Sequence, residues 1–395
     1  MIEPEALDSI QQFRIGQIRC WLEKNDCAGI ILFDPVNVRY ATGSRNMQVW
    51  TMHNICRYAL ILQSGKIVLF DLPSSMHLAK HLNHIHEIRP AFSPDHVIVG
   101  NRSQEISTRL AADLKSVLAD SGVAKERIAI DRADLEIVFA FQRENVNLVD
   151  GKPIMDRARS IKSVEEIAAL TMSLRTCEQS VADMKARLEP GMTESQAMGL
   201  MIKGSIDRGG EYPETRLLTS GPRTNPWFQE TSDRVIENGD MLAFDTDMIG
   251  PLGFYNDISR SWVVGDKKPN DTQKRLYNLA HELIQHNFSL LQPGMGFLDY
   301  SDNAYQLPGN CLPNRYADVA HGCGLGVEYP LIWYREDEQW GAYDGVFEEN
   351  MVVCIECYVG ELHGHEGVKL EQPIWLKADG PVLLSEFPLE EDYLV

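Results

Sequence analysis

Three aspartates interrupt an otherwise apolar segment, residues 241–264, and this combination constrains the fold more than any other feature of the sequence. Two runs of β-forming residues flank a Gly/Pro turn at 250–253, so the segment predicts a β-hairpin. Asp245 and Asp247 are two residues apart and should project from one face of one strand, with Asp257 facing them from the partner strand. Carboxylates that converge in an apolar hairpin repel one another, and a bound cation is the usual remedy. The alternative is that these aspartates are solvated turn residues.

Three further side chains downstream complete a candidate metal-binding set. His321 opens a glycine-rich segment, Glu356 lies inside an apolar run at 351–359, and Glu371 lies in the segment 368–373. An acidic side chain among apolar neighbours is normally paired or metal-bound, because leaving it bare costs several kcal/mol. Five carboxylates and one imidazole suit two divalent ions bridged by carboxylates, about 3.5–4 Å apart. Iron, zinc, manganese and cobalt are all compatible with this donor set.

The charge balance narrows the classes of partner. The chain has 37 basic and 57 acidic residues, for a net charge of -20. This balance argues against nucleic acid or an anionic membrane surface as a partner and is compatible with a small zwitterionic substrate. The first residues carry no signal-peptide pattern, no apolar run reaches the length of a membrane span, and the eight cysteines are scattered. We therefore expect a cytoplasmic protein with reduced thiols.

The length of 395 residues predicts two domains. Helical and strand patterns alternate in the first part of the chain, which predicts a small α/β domain over 1–153. Within it we predict helices over 9–25 and about 104–121, and strands over 28–33, 57–62, 66–70 and 127–131.

From residue 154 onward the pattern changes to long helices followed by strands, so we predict a second domain over 154–395. Ser163 and Thr193 each precede a Glu or Gln by three positions, the pattern of a capping box at the start of a helix. Strands are predicted within 215–265, a helix over about 271–292, and strands near 351–359 and 367–376. Helices outside a curved antiparallel sheet describe this half, and the whole chain is assigned to the α+β class.

The order Asp, Asp, His, Glu, Glu on these local motifs resembles the creatinase/aminopeptidase P/methionine aminopeptidase superfamily. The segment 37–43 also looks like the N-terminal domain of that superfamily, so the likeness covers nearly the whole chain. The resemblance implies a C-terminal domain of the pita-bread fold preceded by a smaller N-terminal α/β domain. It also implies a di-metal centre, and a homodimer in which the N-terminal domain of one subunit borders the site of the other.

Within the superfamily, the chain looks most like the dimethylsulfoniopropionate lyases of the DddP type. The shared segments include 220–230, 244–247, 257–262 and 369–371. The peptidases of the superfamily carry a neutral residue at the position of Asp247, whereas the likeness to the lyases makes it a ligand. The implied metal ligands are then Asp245, Asp247, Asp257, His321, Glu356 and Glu371.

Two departures from the peptidases concern histidines. Where the peptidases carry them, this chain has the segment 226–228 and Val327. Peptide hydrolysis needs donors for the tetrahedral intermediate and the leaving amine, so aminopeptidase or prolidase activity is not expected. Aromatic faces can instead attract a sulfonium or quaternary ammonium group, and the candidate substrate-binding residues are Trp227, Phe228, Tyr255 and Tyr358. The alternative is that Trp227 and Phe228 belong to the core.

A third departure concerns the base of the reaction. In the lyases the position of Val327 is an aspartate thought to begin the elimination, and valine cannot accept a proton. The candidate catalytic residues are therefore Tyr316 and Glu328, with Asp318 or a metal-bound hydroxide as alternatives.

Three functions are compatible with these patterns. The first is a metal-dependent lyase that cleaves dimethylsulfoniopropionate, or a related small onium zwitterion, to dimethyl sulfide and acrylate by β-elimination. The second is a di-metal hydrolase of a small C–N substrate, of the Xaa-Pro dipeptidase or creatinase kind. The third is a catalytically inactive module used for binding, and the six filled ligand positions argue against it.

Overall fold

The structure, a computed structural model, describes residues 3–394. The chain forms two compact units, Met1–Arg159 and Ser160–Val395. The predicted boundary between residues 153 and 154 falls inside a helix, Lys152–Ser160, and this helix stays with the first unit up to Arg159. In the described part of the chain, no helix is long and apolar enough to cross a membrane.

The first unit alternates helices and strands, as predicted. Its helices are α1 (Pro4–Lys24), α2 (Pro35–Thr42), α3 (Gln48–His53), α4 (His96–Val99), α5 (Ser103–Asp120), α6 (Leu135–Arg143) and α7 (Lys152–Ser160). Its strands are β1 (Gly29–Leu32), β2 (Tyr58–Leu62), β3 (Ile67–Asp71), β4 (Glu87–Pro90), β5 (Arg127–Ile130) and β6 (Asn147–Asp150).

These strands form one mixed sheet in the order β4-β3-β2-β1-β5-β6. The predicted hairpin is present as the antiparallel pair β2 and β3, while β5 and β6 pair in parallel. Ile31 of β1 and Leu60 of β2 share one buried cluster with Leu110 and Leu114 of α5. Each such side chain contributes about 1.5–3 kcal/mol by leaving water, so the sheet and α5 form the core of this unit.

The second unit begins with long helices and continues with strands. Its helices are α8 (Val164–Arg187), α9 (Glu194–Asp207), α10 (Asp271–Leu290), α11 (Phe297–Asn303) and α12 (Glu338–Gly341). Its strands are β7 (Tyr212–Pro213), β8 (Leu218–Ser220), β9 (Met241–Asp245), β10 (Met248–Ile249), β11 (Tyr255–Asn256), β12 (Ser259–Val263), β13 (Asp318–Cys323), β14 (Val327–Trp333), β15 (Val352–Gly360), β16 (Gly367–Lys377) and β17 (Gly380–Leu383).

The predicted helix caps are present at α8 and α9. The hydroxyl of Ser163 accepts a hydrogen bond from the amide of Glu166, the serine half of the predicted capping box. Thr193 and Gln196 form the complete, reciprocal box. A side-chain cap of this kind contributes about 1 kcal/mol, which helps to fix where both helices begin.

Three antiparallel sheets follow, in the strand orders β12-β9-β8, β11-β10-β7 and β14-β13-β15-β16-β17. The two longest strands, β15 and β16, pair so that Glu356 lies opposite Glu371. Side chains alternate along a strand, so Glu356 and Cys357 point to opposite faces. The thiol of Cys357 donates to the carbonyl of Ala280 in α10 at 3.5 Å. Helix α10 therefore covers one face of the sheet, and the two carboxylates lie on the other.

The predicted hairpin at 241–264 is present but is divided between two sheets. Strand β9 pairs with β12, and the short strands β10 and β11 pair separately. Strand β9 ends at Asp245, and Asp247 has a left-handed backbone with a φ of 40°. The prediction that Asp245 and Asp247 share one face of one strand is therefore wrong, because the chain turns between them.

Candidate metal centre

The six side chains predicted as metal ligands lie close together in the second unit, and none is more than 6% exposed. They are called the acidic centre below: Asp245, Asp247, Asp257, His321, Glu356 and Glu371. Their ligand atoms form three overlapping groups, each with its members within 4.8 Å of one another. The groups are Asp257, His321, Cys354 and Glu371; Asp245, Asp247 and Asp257; and Asp245, Glu356 and Glu371.

His321 lies between three of the carboxylates. Its Nε2 atom lies 3.2 Å from Oε1 of Glu371 and 3.5 Å from Oδ2 of Asp257. Oε1 of Glu356 lies at 3.6 Å from the same nitrogen. The other ring nitrogen, Nδ1, lies 3.1 Å from the carbonyl oxygen of Gly322. With Nδ1 donating to that carbonyl, Nε2 is the ring nitrogen that would hold a metal ion. Burial lowers the pKa of His321, but the hydrogen bond to Glu371 and the charges of Glu356 and Glu371 outweigh it and hold the pKa well above its usual value.

Burial shifts the proton affinity of the acids. It raises the pKa of Asp247 to about 7. Burial, reinforced by Glu371, raises the pKa of Asp257 well above its usual value, and burial also raises that of Glu356. For Glu371 burial acts in the same direction, but Lys369, His321 and Ser259 together outweigh it and hold the pKa of Glu371 below its usual range. Carboxylates whose charged form is disfavoured in this way gain from a cation.

The residues fit divalent metal ions. Among residues 3–394, Oδ1 of Asp245 and Oδ1 of Asp257 have no hydrogen-bond donor. A buried acceptor without a partner costs about 1–3 kcal/mol, and more when it is charged. Carboxylate oxygens with one imidazole are ligands that zinc, manganese, iron and cobalt all accept. Both the orphaned atoms and the donor chemistry therefore favour metal binding at the acidic centre.

Asp247 is held toward the acidic centre by two hydroxyl groups. Thr215 donates a hydrogen bond to Oδ2, and Tyr255 donates one to Oδ1. Tyr255, predicted as a substrate-binding residue, is only 2% exposed. Its contact is therefore with a candidate ligand, and it presents no open aromatic face.

The other three predicted substrate-binding residues pack with Tyr316, which was predicted as a catalytic residue. We call this group the aromatic wall: Trp227, Phe228, Tyr316 and Tyr358. The rings of Trp227 and Tyr358 stack with centroids 5.8 Å apart, and both residues are buried. The hydroxyl of Tyr358 donates a hydrogen bond to the carbonyl of Thr224 at 2.7 Å, so its proton is already used in a structural contact. Phe228 packs on Tyr316 at 5.1 Å and yet is 62% exposed. The wall thus contains one side chain with a free face, Phe228.

Tyr316 and Asp318 stand beside the acidic centre at the start of β13. The ring of Tyr316 lies 4.7 Å from Nζ of Lys369. Burial raises the pKa of Tyr316 well above its usual value, so the hydroxyl stays protonated. Asp318 is buried next to Glu356, and its Oδ2 has no hydrogen-bond donor within the described residues. Burial raises the pKa of Asp318, although His321 opposes the shift.

Glu328, predicted as a catalytic residue, has structural partners instead. Its Oε2 accepts a hydrogen bond from Nζ of Lys162 at 3.0 Å, and its Oε1 accepts one from the amide of Leu325 at 2.8 Å. The side chains of this ion pair are 2% and 3% exposed. Within the described chain, Glu328 belongs to none of the three ligand groups. Its contacts fix the turn before β14, where Val327 is 48% exposed.

Lys369 is missing from the predicted site residues and yet lies inside the acidic centre. Its Nζ atom lies 2.9 Å from Oδ2 of Asp245, 2.6 Å from Oε2 of Glu356 and 3.2 Å from Oε2 of Glu371. Burial alone would lower the pKa of Lys369, but these carboxylates, Asp245 foremost, hold it well above its usual value. The sequence did contain a signal, because residues two apart in a strand share a face and Lys369 precedes Glu371 by two.

One thiol also reaches the acidic centre. All eight cysteines are free, and Cys354 belongs to the ligand group of Asp257, His321 and Glu371. Burial, reinforced by Cys323, raises the pKa of Cys354 well above its usual value. The group is therefore a protonated thiol in the metal-free protein, placed among oxygen donors.

Comparison with known proteins gives two family matches along the chain. Residues 14–161 match the Creatinase/Prolidase N-terminal domain. Residues 168–378 match Metallopeptidase family M24, and this range contains the whole acidic centre.

Individual relatives match nearly the full chain. A protein of Roseovarius nubinhibens named dimethylsulfoniopropionate lyase DddP is 33% identical over 389 residues, which are 97% of this chain and 87% of the relative. A protein of the same name from Roseobacter denitrificans is 33% identical over 391 residues, with the same coverage of 97% and 87%. Among solved structures, an Xaa-Pro dipeptidase from Bacillus anthracis matches with a TM-score of 0.77 over 96% of this chain and 99% of that chain. At 18% identity, that likeness shows the fold alone.

Proposed function

The chain belongs to metallopeptidase family M24, and from its likeness to the two dimethylsulfoniopropionate lyases we propose that it is a metal-dependent lyase acting on dimethylsulfoniopropionate or a related small onium zwitterion. The membership confirms the predicted superfamily. Together with the solved relative, it confirms the α+β class with a pita-bread second domain. The proposal also includes the cytoplasmic homodimer expected from the sequence.

The observation that carries the proposal is the placement of Asp247. The resemblance to peptidases implies a neutral residue at this position, whereas the resemblance to the lyases implies a ligand. Asp247 shares a ligand group with Asp245 and Asp257, and hydroxyls of Thr215 and Tyr255 each hold one of its oxygens. A side chain with two dedicated partners is an integral part of the acidic centre, which supports the lyase over the peptidase.

The proposed reaction is a β-elimination. When bound, the two divalent ions supply Lewis acidity toward the substrate carboxylate. A base on the protein removes a proton from Cα, and the C–H electron pair forms the double bond of acrylate. The electron pair of the C–S bond leaves with sulfur as neutral dimethyl sulfide. The proton stays on the base until it is released to water.

Asp318 is the base in this proposal. Val327 has no group that accepts a proton, Tyr316 keeps its own proton, and Glu328 is paired with Lys162. Asp318 has an oxygen without a donor among the described residues, and burial raises its pKa, which makes its carboxylate a stronger base than an exposed one. It therefore combines proximity to the acidic centre with an available lone pair.

Phe228 holds the onium group in this proposal. Nζ of Lys369 lies 4.7 Å from the ring centroid of Tyr316 and 5.8 Å from that of Trp227, so these rings already have a cation of the chain's own. The ring of Phe228 is the exposed one in the wall. A cation over such a face gains about 0.5–1 kcal/mol at an exposed site and about 2 when desolvated.

The decisive test measures dimethyl sulfide by headspace gas chromatography after the protein is mixed with dimethylsulfoniopropionate. Separate samples are loaded with Fe²⁺, Zn²⁺, Mn²⁺ or Co²⁺, and their metal content is verified. Release of dimethyl sulfide with equimolar acrylate supports the proposal. Asp318→Asn should then lower the rate by about 10²- to 10⁴-fold while the variant still binds metal. No release from any fully loaded sample defeats the lyase.

Val327 favours a second candidate, a di-metal hydrolase of a small C–N substrate, because the base implied by the lyase likeness is absent at that position. Xaa-Pro dipeptides and creatine are the probes, with release of proline or urea as the readout. Turnover of either probe without formation of dimethyl sulfide would replace the first proposal by the second. Purified protein that takes up no divalent ion would instead favour a catalytically inactive binding module.

A further inference from the structure

Lys369 is fully buried and is held on all sides by polar or aromatic groups. Besides the carboxylates of Asp245, Glu356 and Glu371, its Nζ donates to Oγ of Ser259 at 2.8 Å. The rings of Tyr316 and Trp227 lie within cation–π distance on the same ammonium group. The ammonium group therefore has no donor left for a substrate, and its role must be sought in the carboxylates themselves.

Each of these carboxylates contacts Nζ of Lys369 through one of its two oxygens. The contacts are to Oδ2 of Asp245, Oε2 of Glu356 and Oε2 of Glu371. Ser259 donates to the same Oε2 of Glu371 at 2.9 Å, which reinforces the choice of oxygen. Oδ1 of Asp245 remains without a donor in the described chain, and Oε1 of Glu371 and Oε1 of Glu356 face the ring nitrogen of His321 at 3.2 and 3.6 Å.

One of the three ligand groups of the acidic centre consists entirely of carboxylates that contact Lys369. Asp245, Glu356 and Glu371 make up one group, and the Lys369 ammonium lies among them. The other two groups share Asp257, whose Oδ1 is orphaned in the described chain. One of the three ligand groups thus already holds a cation of the chain itself, on the Oδ2 or Oε2 atoms of its carboxylates.

We propose that Lys369 is a positioning residue: it takes one oxygen of Asp245, Glu356 and Glu371 and thereby turns the other oxygen of each toward the metal ions. The inference rests on the metal centre of the proposed function. Without this partner the carboxylates would repel one another and rotate. A metal ion would then have to reorient its ligands as it binds, which weakens its affinity. Partners behind metal ligands typically contribute about 10- to 100-fold to metal affinity.

The test compares Co²⁺ binding to the full-length wild type and to Lys369→Met, which removes the charge and keeps a similar length. Isothermal titration calorimetry gives the affinity and stoichiometry, and the visible absorption of bound Co²⁺ reports ligand geometry. We expect a 10- to 100-fold weaker affinity and an altered Co²⁺ spectrum. Arg57→Met is the control, because it breaks a buried ion pair with Asp71 in the first unit and leaves the acidic centre intact.

A second variant guards against misfolding. Lys369→Ala leaves a cavity that ammonium or methylammonium can enter, so either ion added to the buffer should restore the Co²⁺ affinity and spectrum. Unchanged or tighter binding by Lys369→Met overturns the inference, and so does Lys369→Ala protein that binds Co²⁺ like the wild type without added ammonium. Wild-type protein that binds no Co²⁺ would instead overturn the proposed function, so the two failures are distinguishable.

Discussion

The hydroxyl of Tyr255 donates a hydrogen bond to Oδ1 of Asp247, where the two residues are 2% and 6% exposed. Removing this hydroxyl should release the aspartate from its direction in the acidic centre. We expect Tyr255→Phe to weaken the binding of Co²⁺ or Mn²⁺ by about 10- to 100-fold, measured by calorimetry. Tyr300→Phe is the matched control, since that buried hydroxyl has no partner in residues 3–394. Equal losses in both variants would contradict a specific role for Tyr255.

Val327 tests whether Asp318 is the base. It is 48% exposed, so an aspartate can be introduced there with little effect on stability. Because Asp318 is the base in the proposed reaction, we expect Val327→Asp to leave the rate of dimethyl sulfide release within a few-fold of that of the wild type. Val327→Asn separates the carboxylate from a mere change of polarity. A rise of about 10²- to 10⁴-fold in Val327→Asp but not in Val327→Asn would mean that the wild type lacks an effective base, and would contradict the role of Asp318.

Glu328 should prove structural. Removing one partner of a buried ion pair typically costs about 3–5 kcal/mol, so Glu328→Gln should lower the free energy of unfolding by that order. Urea denaturation of the metal-loaded protein measures it. The double variant Lys162→Met with Glu328→Leu should recover much of the loss, because no charge is left unpaired. Loss of turnover in Glu328→Gln without loss of stability would restore the catalytic role predicted from the sequence.

Substitution of Phe228 tests whether the aromatic wall binds the onium group of the substrate. Its exposure means that Phe228→Ala should leave the melting temperature nearly unchanged. Loss of a cation–π contact of about 0.5–2 kcal/mol should raise KM for an onium substrate about 2- to 30-fold. Phe228→Tyr, which keeps an aromatic face, should retain affinity. An unchanged KM in Phe228→Ala would place the onium group elsewhere.

Metal-free protein should lose stability as the pH rises toward neutrality. The pKa of Asp247 is raised from 3.8 to about 7, so the folded state holds more protons than the unfolded state between these values. Stability from this group is complete below about pH 4 and is lost as the pH rises through about 7. The raised pKa values of Asp257 and Glu356 act in the same direction. The lowered pKa of Glu371 acts only at more acidic pH, below its usual range.

Thermal unfolding at pH 5 and pH 8 checks this expectation. The melting temperature of metal-free protein should be higher at pH 5, and the increase produced by Co²⁺ should be larger at pH 8, where the acids are charged. Asp247→Asn should reduce the difference between the two pH values. A pH-independent gain from Co²⁺ would show that these acids are not linked to metal binding.

Much of the fold followed from the sequence. Alternating patterns located β2, β3, β15 and β16 within a residue or two, and the order of ligand types gave the family. The face shared by Asp245 and Asp247 could not be read from spacing, because spacing assumes a continuous strand and the left-handed backbone at Asp247 interrupts it. A carboxylate with a short side chain tolerates that conformation better than most residues do.

Contacts between residues that are distant in the sequence explain why other parts of the site could not be predicted. Glu328 pairs with Lys162, which lies 166 residues earlier in the chain. The sequence gives no sign of this pairing, so the carboxylate of Glu328 was a reasonable candidate for a catalytic base. The sequence predicts open aromatic faces at Tyr255 and Tyr358. Their hydroxyl groups donate to Asp247 and Thr224 instead, and these contacts exist only in the tertiary fold. Lys369 was overlooked although its spacing from Glu371 put it on the ligand face, because a cation is not expected among metal ligands.

The Cys354 thiol bears on how this protein should be handled. Copper outcompetes manganese, iron, cobalt and zinc at most protein sites, and a sulfur ligand strengthens that preference for thiophilic ions. A pocket that offers sulfur beside imidazole and carboxylate therefore discriminates poorly against copper. We therefore expect protein purified in buffers with trace copper to bind copper at this position, so the metal content has to be measured before any assay.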